Sequence, residues 1–256
     1  ETHKQLTIGL FGFGVVGEGL YKILQQTPSL KAGIKKVSIK NPGKIRNAPD
    51  ELFTTDKNIL LNDPEINVIV EVINESEPAF DIVSTALRNG KQVVSASKKM
   101  LAEHLPQLLK LQKDTGLSVL YEAAACASIP VIRNLEEYYD NDLLHSIRAI
   151  VNGSTNFILT KMFEEKLDFK AALLLAQQLG FAEADPTLDI EGYDAVNKWT
   201  LLLNHAYGIV THPQDILFTG IQSIQGTDAA VAKEKNYDIK LVAQAKKLRN
   251  GKVAAF

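Results

Sequence analysis

The hydrophobic and polar positions follow two different patterns in the two halves of the chain. In the first half, short runs of β-branched and apolar residues alternate with stretches of helical periodicity. This alternation is typical of a parallel sheet that is covered by helices on both faces. In the second half, one apolar run is followed by a series of helical stretches. We therefore predict an α/β fold, in which a doubly wound parallel sheet over residues 1–128 is followed by an α+β domain over residues 129–256.

The same patterns predict individual elements, and glycine or proline marks several helix ends. Strands are predicted at residues 6–11, 36–40, 68–72, 92–95, 118–121 and 143–151. One helix is predicted through Leu20, Ile23 and Leu24. Further helices are predicted from about residue 77 to Gly90, at 106–115, from Pro130 onward, and at 157–165, 170–179, 195–207 and 239–248. Residues 252–256 resemble the opening of another strand, so we expect the physiological protein to be longer.

Composition and charge limit the classes of function. Hydrophobic residues make up 45 % of the chain and charged residues 23 %, as in ordinary globular proteins. The chain has 28 Lys and Arg against 30 Asp and Glu, so its net charge of −2 provides no basic field for nucleic acid or an anionic membrane surface. No apolar run approaches the roughly 18 residues that span a bilayer. We therefore expect small-molecule partners, no nucleic acid and no membrane.

Cysteine and histidine are sparse. Cys126 is the single cysteine and excludes an internal disulfide, which favours a reducing, cytoplasmic location. The five histidines are scattered, without the close spacing of a zinc site. Apolar neighbours make Cys126 more typical of an inert core cysteine than of a nucleophile.

A glycine-rich segment follows the first predicted strand and opens the first predicted helix. In the pattern Gly-x-Gly-x-x-Gly, the first glycine makes a tight turn, the second admits a pyrophosphate and the third lets helix and strand pack closely. The alternative is a flexible turn without a ligand. In this context we favour a Rossmann dinucleotide-binding domain, with a cofactor loop of Gly12, Phe13, Gly14, Val15, Val16 and Gly17.

The end of the second predicted strand indicates which dinucleotide is preferred. NAD-specific domains place an acidic residue there, against the ribose hydroxyls. This chain has Lys40 instead, followed by Lys44 and Arg46, which would attract a 2′-phosphate. We predict NADP as the cofactor, with NAD as the alternative, although the lysines also suit a solvated loop.

Two further segments carry candidate chemistry. Lys98 comes just after a predicted strand, at the edge where open α/β sheets bind ligands, although an exposed lysine is the default interpretation. Residues 122–130 place small side chains around Glu122, which would let the backbone approach a ligand or an ion. The alternative for that segment is close helix packing.

Five carboxylates crowd residues 183–194, ahead of a predicted helix. Asp194 and Lys198 lie one helical turn apart, and such a pair is ordinarily a surface contact worth a few tenths of a kcal/mol. The string of acids before them favours another interpretation, in which the carboxylates hold an ammonium group and the lysine donates a proton.

At these residues the sequence resembles homoserine dehydrogenase. Residues 176–198 resemble that family's signature, from Ala176 through Asp185-Pro186, Asp189 and Asp194 to Lys198. Three further motifs agree in order: the glycine loop at 12–17, Ile-Pro-Val-Ile-Arg at 129–133, and Asn-Gly-Ser-Thr-Asn-Phe-Ile at 152–158. The resemblance extends from about Thr7 to the last residue.

The resemblance implies a role for each matching residue. Lys198 would be the proton donor to the substrate oxygen, Asp194 would position substrate, and Lys98 would contact cofactor and substrate. Gly180 and Glu183 would bind both cofactor and substrate, with Glu183 near the substrate ammonium. The remaining implied substrate residues are Gly153, Ser154 and Asp189.

The family also binds a structural sodium ion. The matching positions are Glu122, Ala125, Ala127 and Ile129. Ala127 and Ser128 replace glycines of the family's ion loop, and Ser97 replaces the asparagine that usually precedes the lysine matching Lys98.

The implied reaction is the interconversion of L-homoserine and L-aspartate 4-semialdehyde by hydride exchange with the nicotinamide, in threonine, methionine and isoleucine biosynthesis. The resemblance also implies a homodimer, which forms largely through strands beyond the position of Phe256. Two alternatives remain open. A thiol-dependent semialdehyde dehydrogenase would use Cys126 and a histidine, and a catalytically silent dinucleotide-binding protein would use neither.

Overall fold

The computed structural model describes residues 5–256, which form two compact units. The first unit ends at Ile129, and the second extends from Pro130 to Phe256. No helix in the described part of the chain is long and apolar enough to cross a membrane.

The first unit is a six-stranded parallel sheet in the order β3-β2-β1-β4-β5-β6. This is the strand order of a doubly wound fold, in which β2 and β3 lie on one side of β1 and β4 to β6 lie on the other. The strands are β1 Leu6–Phe11, β2 Ala32–Ser38, β3 Phe53–Thr54, β4 Val68–Glu71, β5 Gln92–Ser95 and β6 Val119–Leu120. The helices are α1 Val15–Gln26, α2 Asn58–Leu61, α3 Ser76–Arg88, α4 Lys98–Glu103, α5 Leu105–Thr115 and α6 Glu122–Cys126.

Burial of the central strands explains their continuous apolar sequence. All four residues of β4 are buried, and β1 and β2 contribute Leu10 and Val37 to the same core. Helix α3 presents Ala79, Val83 and Leu87 to the protein interior, because residues four apart share one helix face. The result is a rigid sheet whose carboxyl edge carries the glycine loop.

The second unit combines a three-stranded antiparallel sheet with six helices. The sheet has the order β7-β8-β9, formed by Ser146–Ala149, Ala243–Lys247 and Val253–Ala255. Ile158, Leu159 and Met162 form a core with Ala172 and Ala176. The helices are α7 Val131–Tyr138, α8 Gly153–Glu164, α9 Phe169–Gln178, α10 Thr187–Ile190, α11 Tyr193–Tyr207 and α12 Gly226–Glu234.

Most predicted elements are confirmed, but helices α2, α4, α6, α10 and α12 were not predicted, and three other elements differ. The second strand starts at Ala32, upstream of the predicted 36–40, and β3 was missed because it has only two residues. The helix predicted at 239–248 is wrong, since residues 243–247 form β8. Ala243 and Ala245 are buried in alternation, and pairing with β7 and β9 overrides the helix preference of their neighbours. The strand predicted near the end is confirmed as β9, paired with β8.

Candidate active site

The glycine loop joins β1 to α1. Gly12 has a φ of +97°, and a Cβ there would lie 2.9 Å from the carbonyl oxygen of Val72. A Cβ on Gly17 would lie 2.2 Å from the carbonyl oxygen of Gly12, so a side chain is excluded at both positions. Gly14 has open space on its Cα, with no atom within 4 Å of a Cβ built there. The loop is therefore tightly packed against the protein at Gly12 and Gly17 and open at Gly14, as a pyrophosphate site requires.

The start of α1 supplies the remaining loop residues. Phe13 is buried, with edge-on contacts to Tyr21 and Phe53. Val15 is 93 % exposed and Val16 60 % exposed, so nothing within this unit covers the first turn of α1. The first N–H groups of a helix have no acceptor within it and attract anions.

A cavity of about 680 Å³ lies beyond the end of β2. Lys44, Ile45 and Arg46 form part of its lining. The Arg46 guanidinium donates hydrogen bonds of 2.7 Å to the carbonyls of Lys44 and Asn41 and lies over the Phe53 ring at 5.4 Å. This anchoring holds a cation at the cavity, whose lining also includes Asp50.

Lys40 lies outside that set of contacts. Its side chain is largely exposed and forms an ion pair with Glu75, in the loop after β4. Such an exposed pair contributes little to stability.

Lys98 is the first residue of α4 and follows β5 by two residues. It is half-buried. The hydroxyl of the preceding Ser97 lies 2.6 Å from the carbonyl oxygen of Ile73 and 2.8 Å from the carboxyl of Glu71. Lys98 therefore projects from a backbone segment that is tied to the neighbouring strand.

The predicted ion loop spans α6 and the residues after it. Ala127 has a φ of +53° and a ψ of −116°, a conformation that L-residues seldom adopt and that suits the family's glycine. The Glu122 carboxylate and the carbonyls of Ala125, Ala127 and Ile129 form an all-oxygen donor set, the kind that hard cations prefer. The donor chemistry therefore fits sodium. Within residues 5–256, no cluster of three or more His, Cys, Asp or Glu suggests another metal site.

In the second unit, Asp194 and Lys198 share a face of α11. The Lys198 ammonium lies 2.6 Å from the Asp194 carboxylate and 2.9 Å from the carbonyl oxygen of Val151. The two side chains are only 17 % and 11 % exposed, for Lys198 and Asp194 respectively. An ammonium has three N–H donors, so one remains for a substrate oxygen. This arrangement is a largely buried, doubly anchored ammonium rather than an exposed surface ion pair.

Asn152 organises this cluster and was not predicted as a site residue. Its side-chain N–H₂ donates to Asp189 at 2.6 Å and to Asp194 at 2.9 Å. Its side-chain oxygen accepts hydrogen bonds from the backbone N–H and the hydroxyl of Thr155. Asn152 is thereby the N-cap of α8. The sequence contained the signal, because asparagine directly before a helix is a strong N-cap. What could not be foreseen is that the other half of the amide binds two carboxylates.

The loop after α9 carries Gly180 and Glu183. Gly180 ends the helix with a φ of +77°, and the Glu183 side chain is exposed. The Ser154 hydroxyl donates to the carbonyl of Phe181 at 2.6 Å, and Gln177 donates to the carbonyl of Glu183 at 3.1 Å. The Ser154 bond ties the loop to the first turn of α8, where Gly153 is exposed, and the Gln177 bond ties it to α9.

The predicted residues thus fall into two groups by unit. The first unit holds the glycine loop, Lys40, Lys98 and the ion loop. In the second unit, Asn152 brings Asp189, Asp194 and Lys198 together, and the loop of Gly180 and Glu183 is tied to Ser154.

Comparison with known proteins agrees with this geometry. Residues 12–122 match the family profile described as homoserine dehydrogenase, NAD binding domain, and residues 130–255 match the profile described as homoserine dehydrogenase. The homoserine dehydrogenase of Bacillus subtilis is 37 % identical over 253 residues, and that of Helicobacter pylori 38 % over 251. Each alignment covers 95 % of this chain but only 58 % and 59 % of the relative, so the chain spans less than two thirds of their length.

Solved structures give the same result. The crystal structure of a homoserine dehydrogenase from Thiobacillus denitrificans has a TM-score of 0.92 and 34 % identity, and the match covers 98 % of this chain and 61 % of that one. A hyperthermophilic archaeal homoserine dehydrogenase mutant in complex with NADPH has a TM-score of 0.77 and 28 % identity, with 98 % and 81 % covered. Two adjoining profiles, the curated relatives and the solved structures all agree, and the chain belongs to the homoserine dehydrogenase family.

Proposed function

We propose that this protein catalyses the NAD(P)-dependent interconversion of L-homoserine and L-aspartate 4-semialdehyde, within threonine, methionine and isoleucine biosynthesis. Family membership supports the reaction. The observation that carries the residue assignment is the Lys198 ammonium, which Asp194 and the Val151 carbonyl hold with one N–H to spare.

The chemistry separates a hydride from a proton. Oxidation of homoserine removes a hydride from C4 and a proton from the C4 hydroxyl, and reduction of the aldehyde reverses both. When bound, the nicotinamide accepts or supplies the hydride. Lys198 transfers the proton to or from the C4 oxygen as a general acid or base, and Asp194 orients the Lys198 ammonium.

The polar ends of the substrate need separate partners. Glu183 has an exposed carboxylate that forms no hydrogen bond or ion pair within residues 5–256, and it supplies the charge opposite a substrate ammonium. Asp189 and the backbone at Gly153, Ser154 and Gly180 complete the substrate and cofactor contacts. The Ser154 bond to the Phe181 carbonyl restrains the backbone of this loop before substrate arrives.

We further propose that residues 1–128 are the dinucleotide-binding domain, residues 129–256 the catalytic domain, and NADP the preferred cofactor. The support for NADP is the cavity lined by Lys44 and Arg46, with Lys40 nearby in sequence and no acidic residue at the end of β2. The loop residues from Gly12 to Gly17 and Lys98 make the remaining contacts.

Glu122, Ala125, Ala127 and Ile129 would hold a structural sodium ion, because their oxygens suit a hard cation. A sodium site predicts a higher unfolding midpoint in sodium than in choline chloride, and Glu122→Gln removes that difference. We also propose a cytoplasmic homodimer, for which the support is the single cysteine, which suits a reducing compartment, and membership of the family.

Turnover of L-homoserine with NADP, followed by the absorbance of reduced nicotinamide, tests the proposal. A thiol mechanism predicts that Cys126→Ala abolishes turnover, whereas the proposed mechanism predicts that Cys126→Ala turns over and Lys198→Met does not. Cofactor binding with no turnover of homoserine or of the aldehyde would leave a silent dinucleotide-binding protein and refute the proposal.

A further inference from the structure

Glu71 is a buried acid with no role in the mechanism above. It is the last residue of β4 and has no exposed surface, and among residues 5–256 it is the only buried acidic residue. In the sheet it pairs with Phe11 of β1 on one side and Ser95 of β5 on the other. It therefore lies at the carboxyl edge, directly below the glycine loop and the segment that leads to Lys98.

The Glu71 carboxyl joins the loops that follow two strands. Its Oε1 accepts from the backbone N–H of Ile73 at 2.7 Å and lies 2.8 Å from the Ser97 hydroxyl. Its Oε2 lies 2.6 Å from the Ser95 hydroxyl. Ile73 belongs to the loop whose Val72 carbonyl packs against Gly12, and Ser97 directly precedes Lys98. One carboxyl thus holds the two segments beside the glycine loop, at Ile73 and at Ser97.

The hydrogens in this network can be counted. The Ser97 hydroxyl carries one hydrogen but lies 2.6 Å from the Ile73 carbonyl, which can only accept, and 2.8 Å from Glu71 Oε1. If Ser97 donates to the carbonyl, its contact with Oε1 needs a proton on Glu71. The Ser95 hydroxyl accepts from the Ser97 backbone N–H and donates its own hydrogen to Oε2, so it supplies none.

The surroundings favour the neutral acid. Burial raises the pKa of the Glu71 carboxyl, and hydrogen bonds from Ser95, Ser97 and Ile73 partly offset the rise. No cation of the described residues forms an ion pair with it. The charged residues on the loops and helices beside it are Glu75, Glu77, Asp81, Arg88, Lys98 and Glu103.

We propose that Glu71 is a positioning residue that, as an uncharged carboxylic acid, holds the Ile73 and Ser97 segments, and through them the glycine loop and Lys98, in the geometry that receives the dinucleotide. A neutral group meets the hydrogen-bonding need without placing a negative charge beneath an anionic pyrophosphate. The cofactor part of this inference rests on the proposed function, whereas the protonation part does not.

Carbon-13 NMR of the intact chain with labelled glutamate carboxyls tests the protonation. The expected spectrum at neutral pH contains one neutral carboxyl resonance, and Glu71→Gln removes it. Loss of an ordinary carboxylate resonance in that variant would overturn the proposal. This measurement needs neither cofactor nor turnover, so it decides the state of Glu71 even if the parent chain binds no NADPH and the proposed function fails.

Calorimetric titration with NADPH, without substrate, tests the positioning. Glu71→Ala and Ser97→Ala should each raise Kd about tenfold, the effect of losing about one hydrogen bond, while the neutral Glu71→Gln should retain most of the affinity. Ser84→Ala, at another buried serine in the first unit, is the matched control and should change nothing. Unchanged affinity in Ser97→Ala, or equal losses in Glu71→Gln and Glu71→Ala, would overturn the proposal.

Discussion

Replacing Asn152 by Asp separates the two functions of its amide. Aspartate is as good an N-cap as asparagine, so the bonds from Thr155 to the side-chain oxygen persist. The N–H₂ group that donates to Asp189 and Asp194 is instead replaced by an oxygen of a third carboxylate group. The variant therefore keeps its cap and gains a like-charge conflict in a position that is only 4 % exposed.

The magnitude follows from the two lost bonds. A hydrogen bond to a charged group contributes about 1.5–3 kcal/mol, so the loss of two lowers the free energy of unfolding by about 3–6 kcal/mol. That is a large fraction of the roughly 5–15 kcal/mol that stabilises an ordinary domain. The folded variant relieves the repulsion by binding a proton that the unfolded chain has released, so its deficit shrinks as the pH falls and grows as it rises.

Urea unfolding followed by tryptophan fluorescence measures this effect. Trp199, the only tryptophan, is 1 % exposed and lies next to Lys198 on α11, so it reports on this unit. Asp168→Ala is the matched control, since Asp168 caps α9 away from the cluster and its loss should cost only about 1 kcal/mol. A deficit for Asn152→Asp no larger than that of the control, or one independent of pH, would refute the reasoning.

Three further predictions concern the cofactor and the proton. Lys198→Met should lower kcat by about 10² to 10⁴ while the unfolding midpoint stays close to that of the parent, and a variant retaining a tenth of the activity would contradict the role. Gly17→Ala should destabilise the first unit in a denaturation curve, whereas Gly14→Ala should leave stability unchanged and weaken NADPH binding. Arg46→Gln and Lys40→Asp should each weaken NADPH binding by about 1.5–3 kcal/mol with a much smaller effect on NADH; equal losses of both cofactors in a titration would show that these residues do not read the 2′-phosphate.

The sequence predicted the features that local pattern determines. The glycine loop and strands such as β5 depend on nearby residues, and they lie where their patterns indicate. The interpretation failed at β8, where alanine, glutamine and lysine favour a helix and only pairing with distant strands makes a sheet. A preference that is local and weak cannot predict a structure that is imposed by tertiary contacts.

The candidate site divides in the same way. Lys198 and Asp194 were predictable as a pair, because helical spacing places them on one face. Asn152 lies in the motif at residues 152–158, but no local pattern identifies it as their organiser, since its partners lie 37 and 42 residues away in sequence. Glu71 gave even less signal, because a single acid at the end of an apolar strand does not show which loops its carboxyl will join.

The bond from Lys198 to Val151 has an evolutionary consequence. Its acceptor is a main-chain carbonyl, which every amino acid carries, so no substitution at position 151 can delete the contact directly. A single substitution at Asp194 removes its ion pair with the Lys198 ammonium. The hydrogen bond to the Val151 carbonyl persists through substitutions at position 151 as long as the backbone conformation is unchanged. A saturation library should therefore accept many side chains at 151 and few at 194, although both residues hold the same nitrogen.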